Sequence, residues 1–390
     1  MQLLFFAEIL ALLSLAIWLV LFFFWGGFWR IWEADADRSS ISPPREWPRV
    51  TAIIPARNEA RSIAAVVAAL SKQDYAGEFS VVIVDDHSDD GTAELARRAA
   101  VEGGASTRIQ ALPASELAPG WTGKLWALHS GVAASLNPLP DFFWFTDADV
   151  LHPPDALRRL VSRAEHGNLD LTSLMVLLES RAFAERLLIP PFLYFFLMLY
   201  PPNWISDVRC KTAGAAGGSI LLRRAALERI GGLATIRSEI IDDCSLARAV
   251  KRSGGKIWMG LTRAGRSLRT YSGFGEIRDM IARTAFTQLR YSTWQLLGAL
   301  AALALTFLVP VAFTFAPQNK IWLPALLAWC LLTASFLPTV TFYRLSPIWA
   351  PLLPLAALFY SYATLLSALR YWFGRGGQWK GRAQAKARRK

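Results

Sequence analysis

Hydrophobic positions along this chain follow two regimes. Towards both ends they run almost unbroken, while in the middle they come in short bursts that close on polar clusters. Ile9 to Trp29 carries no charged residue and is long enough to cross a bilayer. Leu296 to Phe373 is apolar nearly throughout and holds no acidic residue. Breaks at Pro317–Lys320 and Arg344–Pro347 divide it into predicted spans at about Leu296–Ala316, Ile321–Phe342 and Ile348–Phe373. In the middle, Val50–Pro55, Ser80–Asp85 and Asp141–Thr146 read as short buried strands. Ala60–Gln73, Thr92–Val101 and Pro154–His166 carry the apolar spacing of helices. Buried strands alternating with helices predict an α/β domain whose parallel sheet is covered on both faces. Such sheets bind ligands at the carboxyl ends of their strands.

Three strands end in polar clusters. These are Arg57-Asn58-Glu59, Asp85-Asp86-His87-Ser88-Asp89-Asp90 and Thr146-Asp147-Ala148-Asp149. An Asp-x-Asp at a strand end offers two hard oxygen ligands suited to Mg²⁺ or Mn²⁺. The competing reading makes Asp147 and Asp149 turn formers ahead of Pro153-Pro154. Four carboxylates within Asp85–Asp90 exceed what a turn needs, and their repulsion calls for donors or a cation. Asp85 or Asp86 can accept hydrogen bonds from a nucleobase and its ribose, while Thr92 reads as a helix cap. No glycine-rich phosphate loop follows the first strand, which argues against dinucleotide binding and nucleotide hydrolysis.

Composition adds a location. The chain is 390 residues with 53% hydrophobic residues and a net charge of +12. Eight Lys/Arg and no acid lie between Arg370 and Lys390. Following an apolar span, that tail reads as a cytoplasmic flank against anionic headgroups rather than as a nucleic-acid site. Arg30, Arg38, Arg45 and Arg49 likewise place the middle domain in the cytoplasm. Three full spans would separate domain and tail, so the segment with Pro347, Pro351 and Pro354 is expected to be re-entrant or interfacial. A signal peptide at Ile9–Trp25 is disfavoured, since no basic residue precedes it and no A-x-A-like site follows. Cys210, Cys244 and Cys330 fit no metal spacing and suit a reducing compartment.

With these pieces in order, Val50 to Ser292 resembles the family-2 glycosyltransferases of the GT-A fold. The likeness rests on Ile54–Glu59, Val84–Thr92, Gly123–Gly131, Thr146–Asp149, Gly217–Arg224 leading to Gly231-Gly232, and Asp242–Leu246. Within the family the chain is most similar to the membrane-bound group associated with hopanoid biosynthesis, supported by Gln378–Arg382 and the flanking spans. The resemblance implies a Rossmann-like mixed sheet with helices on both faces and transmembrane helices at both ends. It implies a nucleotide-sugar donor contacted by Pro55, Arg57, Glu59, Asp85, Asp86, Lys124 and Asp147. Asp147 and Asp149 would hold Mg²⁺ or Mn²⁺, Asp243 beside Asp242 would be the general base, and Arg290 would approach the diphosphate. By themselves, Asp242 and Asp243 would read first as acids complementing a helix dipole. Tyr291 stands where the family motif has tryptophan, which disfavours a processive polysaccharide synthase.

The expected organisation is an N-terminal span at 1–29, a linker at 30–49 and a cytoplasmic transferase domain at 50–295. Membrane segments at 296–373 and a basic tail at 374–390 complete it. Leu187–Trp204, with Pro190, Pro191 and an aromatic edge, is expected as an interfacial segment (187–205) inside the transferase domain; a buried core helix is the alternative. The implied protein is a multi-pass inner-membrane enzyme whose acceptor is a membrane lipid, with no nucleic-acid partner. A polyprenyl phosphate acceptor and a non-catalytic membrane scaffold are the competing readings.

Overall fold

The computed structural model describes residues 2–31, 41–135 and 137–374, with the backbone of 378–379 and 382–383. Arg38 and the side chains of the basic tail from 375 onward lie outside the described residues. Two compact units emerge. Trp32–Leu178 and Trp204–Arg269 belong to a sheet unit; Met1–Ile31, Glu179–Asn203 and Thr270–Gly376 belong to a helical unit.

The sheet unit has strands β1 (Val50–Ala56), β2 (Phe79–Asp85), β3 (Ile109–Pro113), β4 (Phe142–Thr146), β5 (Val150–Leu151), β6 (Leu171–Leu177), β7 (Ser219–Arg223) and β8 (Ile257–Ser267). Their order is β3-β2-β1-β4-β7-β6-β8-β5. β3, β2, β1 and β4 run parallel, and β7 runs antiparallel between β4 and β6. The strands expected from the sequence appear within one residue of their expected limits.

Both faces are covered, as the continuous apolar runs require. Val81 and Ile83 of β2 pack with the Ile63–Ser71, Thr92–Glu102 and Ala156–His166 helices in one core cluster. Val82 and Val84 turn the other way, against Ala127 of the Gly123–Ala134 helix. That helix approaches so closely at Gly131 that a Cβ there would lie 2.4 Å from Ile53 Cγ2. Each fully buried Val, Ile or Phe contributes about 1.5–3 kcal/mol by leaving water.

Among the described residues, four helices of the helical unit are long and apolar enough to cross a membrane: Gln2–Phe24, Thr293–Thr314, Asn319–Phe342 and Pro347–Trp372. The second carries a π turn at Ala304–Leu308, just before Pro310. Pro310 has no N–H for the carbonyl of Thr306, four residues earlier. Trp18 Nε1 supplies the missing donor, 2.6 Å from that oxygen.

Three expectations change here. Pro347–Trp372 shows no re-entrant break: Pro347–Leu352 is a 3₁₀ turn leading straight into the Leu353–Trp372 helix. Its prolines sit in the opening turns, where a missing N–H costs little. The segment expected to be interfacial, with a buried core helix as the alternative, contains the helix Phe183–Leu199, grouped with the helical unit and largely buried. Apolar on every side, it finds partners all round. Tyr194 Oη lies 2.6 Å from Ser335 Oγ, and Tyr360 Oη donates to the Leu188 carbonyl. Finally, the Phe274–Gln288 helix, expected within the domain ending at residue 295, also belongs to the helical unit.

Candidate active site

Because β2, β1 and β4 are adjacent and parallel, their carboxyl ends share one edge of the sheet. Adjacent strands lie about 4.8 Å apart, so residues ending β2 and β4 are separated by about 10 Å. The polar clusters form two neighbouring groups along this edge.

The first follows β1 and β2. Asp86 is fully buried, and the Arg57 guanidinium stands 3.6 Å from its carboxylate while also donating to its carbonyl. Asp85 accepts from the Ser88 hydroxyl at 2.5 Å. Glu59 is tied through its N–H to Thr92 Oγ1 and through its carboxylate to Ser62 Oγ. Asp90 accepts from Ala60 N and from both the N–H and hydroxyl of Thr92. Burial works against its charge, but these bonds outweigh it and hold the Asp90 carboxyl below the usual range. Asp90 therefore belongs to the turn and helix start, as the plainer reading of this cluster has it.

The second group lines a pocket whose floor includes Pro55 and Gly217. Thr122 caps the Gly123–Ala134 helix through Leu125 N, which sets Lys124 in its first turn. Lys124 Nζ lies 2.9 Å from Asp147 Oδ1 and 3.3 Å from Asp242 Oδ2. Burial disfavours the ammonium, yet Asp147, Asp242 and Asp243 together raise its pKa. Asp242 and Asp243 open the Asp242–Arg252 helix. Asp243 accepts from Gly217 N at 2.9 Å and from Cys244 N at 2.7 Å. Burial first, then the charge of Asp242, pushes the Asp243 carboxyl up to about 6, against the pull of Lys124.

One ammonium against three carboxylates leaves two negative charges, a balance that fits a divalent cation. Among the described residues, no three His, Cys, Asp or Glu side chains group closely enough to hold a metal alone. Mg²⁺ and Mn²⁺ at phosphate sites bind through one or two carboxylates plus phosphate oxygens and water, so the residues present fit that mode. Asp147, partly exposed at the pocket, has the oxygen donors for it. The Asp149 carboxylate lies 3.4 Å from Ser267 Oγ, and its carbonyl accepts from Leu268 N.

Of the residues singled out in the sequence, the structure brings together Pro55, Lys124, Asp147, Asp242 and Asp243 in one pocket. Arg57, Glu59, Asp85 and Asp86 form the adjoining group. Arg290 belongs to the helical unit, in the turn after the Phe274–Gln288 helix with φ +51°. Sequence reasoning missed Gly217 as a site residue. A Cβ there would sit 3.2 Å from Lys124 Nζ and 3.4 Å from Asp243 Oδ2, so the paired glycines were the available signal. It also missed Thr146 and His152, which flank the Asp-x-Asp and hydrogen-bond each other at 2.7 Å.

A mixed sheet with this carboxylate-lined edge defines a sugar-transferase architecture, and residues 48–287 match the model of the family described as "Glycosyltransferase like family 2". The chain belongs to that family. It is similar to the undecaprenyl-phosphate 4-deoxy-4-formamido-L-arabinose transferase of Yersinia enterocolitica, with 30% identity over 130 residues, 33% of this chain and 37% of that protein. An N-acetylglucosaminyltransferase of Mesorhizobium japonicum is 31% identical over 130 residues, 33% of this chain and 28% of that one. The chain thus matches about a third of the length of these curated relatives. Among solved structures, a mannosyltransferase from Pyrobaculum calidifontis in complex with GDP-Man and Mn²⁺ superimposes with a TM-score of 0.57 and 19% identity. The match covers 93% of this chain and 99% of that one, and it shows the GT-A fold to be shared.

Proposed function

We propose that this chain transfers one sugar from a nucleotide-sugar, UDP-linked by preference, to a hydroxyl of a membrane lipid of hopanoid or sphingolipid-like type. The reaction inverts the anomeric carbon and takes place at the cytoplasmic face of the inner membrane. One observation carries this reading: Asp147 from the end of β4, and Asp242 and Asp243 from the start of one helix, meet around Lys124 at the carboxyl edge of the sheet. Asp85 supplies an acceptor for base or ribose, while Asp86, buried against Arg57, holds that loop together with Glu59. Lys124 is a cation set to meet the diphosphate. When bound, Mg²⁺ or Mn²⁺ neutralises the leaving diphosphate.

Asp243 is the base. A carboxylate fixed by two backbone N–H groups, with a pKa raised towards neutrality, suits removal of a hydroxyl proton. That proton passes to Asp243 while the acceptor oxygen bonds to the anomeric carbon. The bond from that carbon to the diphosphate breaks, and its electron pair leaves with the diphosphate. Displacement from the opposite face inverts the centre. Tyr291 in place of a polymer-holding tryptophan is consistent with a single addition.

A second reading, a polyprenyl phosphate acceptor, is favoured by the similarity to an undecaprenyl-phosphate transferase. An ionised phosphate needs no base, which separates the two. Membranes containing the protein, given UDP-sugars and Mn²⁺, should yield a neutral lipid heavier by one hexose or N-acetylhexosamine in mass spectrometry. Label appearing only on a polyprenyl phosphate, with Asp243→Asn fully active, would replace the first reading by the second.

A further inference from the structure

We propose that His152 is a positioning residue for the Asp147 loop, acting through the hydroxyl of Thr146; the proposal rests on the reading of Asp147 as the cation ligand. His152 is buried, and its Nε2 lies 2.7 Å from Thr146 Oγ1. The same hydroxyl is 2.9 Å from the Gly218 carbonyl. A carbonyl can only accept, so the Thr146 proton points to Gly218 and the hydroxyl oxygen must accept from His152. Nε2 therefore carries the hydrogen. Burial pushes the imidazole pKa down to about 3, so the ring is neutral and Nδ1 bears none. This is one fixed tautomer with one direction of donation.

The ring is also held in place. Trp144 lies 4.5 Å from it, and Trp144 Nε1 donates to Ser219 Oγ at 3.0 Å. Thr146 pairs with Ser219 across β4 and β7. The residue before Gly218 gives its N–H to Asp243. A continuous series of bonds and one peptide thus runs from His152 through Thr146 and Gly218 to Gly217 and the base. Thr146 is the residue immediately before Asp147. Releasing its hydroxyl would let Asp147 shift relative to Asp243, the separation that a cation-bound diphosphate must fit. Partners that orient metal ligands typically account for 10–100-fold in metal affinity.

The test is Mn²⁺ titration by electron paramagnetic resonance, with UDP present, on the full chain in detergent. His152→Gln keeps an N–H donor near the position of Nε2 and should bind Mn²⁺ within about threefold of the unaltered protein. His152→Leu and Thr146→Val should each weaken Mn²⁺ about tenfold or more, and the double variant should be no weaker than the worse single one. If His152→Leu lowers the melting temperature while Mn²⁺ affinity stays within twofold, the role is merely structural and the proposal fails. Should that variant not fold, Thr146→Val decides alone: unchanged affinity overturns the proposal. Mn²⁺ binding lost in Asp147→Asn but kept in His152→Leu overturns this inference and leaves the cation reading standing. No UDP-dependent binding to the unaltered protein overturns both.

Discussion

The two units of this molecule differ in how many large apolar side chains they leave exposed. In the sheet unit they are inside: among the described residues, only Val101, Leu139 and Val208 are large apolar side chains left exposed. The helical unit turns them outward, with Trp294 82% and Phe315 77% exposed and Leu3, Phe24, Ile348 and Leu358 similarly bare. Inward, alanines and hydroxyls (Ala11, Ala325, Ala328, Ser14, Ser335 and Thr339) pack among buried aromatics such as Trp18, Tyr194 and Phe307. Large apolar side chains facing outward are what hydrocarbon as solvent permits, since lipid gives no reason to hide leucine. The sheet unit reverses this and spends its few buried charges at one edge. Chemistry should therefore reside in one unit and solvation by lipid in the other.

The sharpest break would come from the base. Asp243→Asn keeps an acceptor for a backbone N–H but cannot take a proton, so turnover should fall about a thousandfold. Nucleotide affinity should change little. Tyr194→Phe, which removes a buried hydroxyl from the helical unit, should leave turnover unchanged. A Tyr194→Phe loss comparable to that of Asp243→Asn would end the division of labour.

Next in size is the solvent itself. Leu358 lies mid-way along an apolar helix and faces outward, as Val101 does on the Thr92–Glu102 helix. Leu358→Arg should cost about 3 kcal/mol of membrane insertion or stability. Val101→Arg should stay within about 0.5 kcal/mol, as exposed substitutions in water do. Yield in the membrane fraction and unfolding in mixed micelles measure both. Equal costs would mean that the outward apolar face meets protein or water, not lipid.

The pH limb is smaller. Asp243 works only when deprotonated, so kcat/KM should decline as pH falls through about 6, by tenfold for each unit below it. Lys124 opposes the upward shift, so Lys124→Met should move that limb to higher pH. A limb that stays in place would mean that the ammonium does not sense Asp243. An enzyme active without decline to pH 4 would remove Asp243 as the base.

Much of the site was legible because it sits where strands stop. Near-continuous apolar runs ending at Pro55, Asp85 and Thr146 fixed both the sheet and its working edge, so Asp147 and the Asp85–Asp86 pair could be found without coordinates. Lys124, Asp242 and Asp243 were visible only as parts of a family pattern; alone they read as a surface lysine and helix-start acids. Their meeting depends on β7 being inserted antiparallel, which periodicity does not reveal. Asp149 looked equivalent to Asp147 in sequence, yet it sits in the turn entering β5, whose pairing with β8 brings its carboxylate within 3.4 Å of Ser267 Oγ. The continuity of Phe183–Leu199 was not legible because prolines inside an apolar run signal a break in water. Inside a helical unit, neighbouring side chains surround such a helix and keep it continuous.

The smallest effect probes the same contrast through single hydrogen bonds. In the helical unit Tyr194 donates to Ser335, whose own hydroxyl is given to the Leu332 carbonyl. In the sheet unit Trp144 donates to Ser219. In a protein unfolding into water, a buried pair of this kind contributes about 1 kcal/mol, and a stranded partner costs more. A helix released into lipid still finds other polar partners, so coupling between helices averages nearer about 0.6 kcal/mol. The double-mutant cycle Tyr194→Phe with Ser335→Ala should therefore give the smaller coupling. The cycle Trp144→Phe with Ser219→Ala should give the larger, once each single variant's cavity cost cancels. Were the helical pair the stronger, its unfolded state could not be a lipid-solvated helix. The outward leucines would then need a protein partner to cover them.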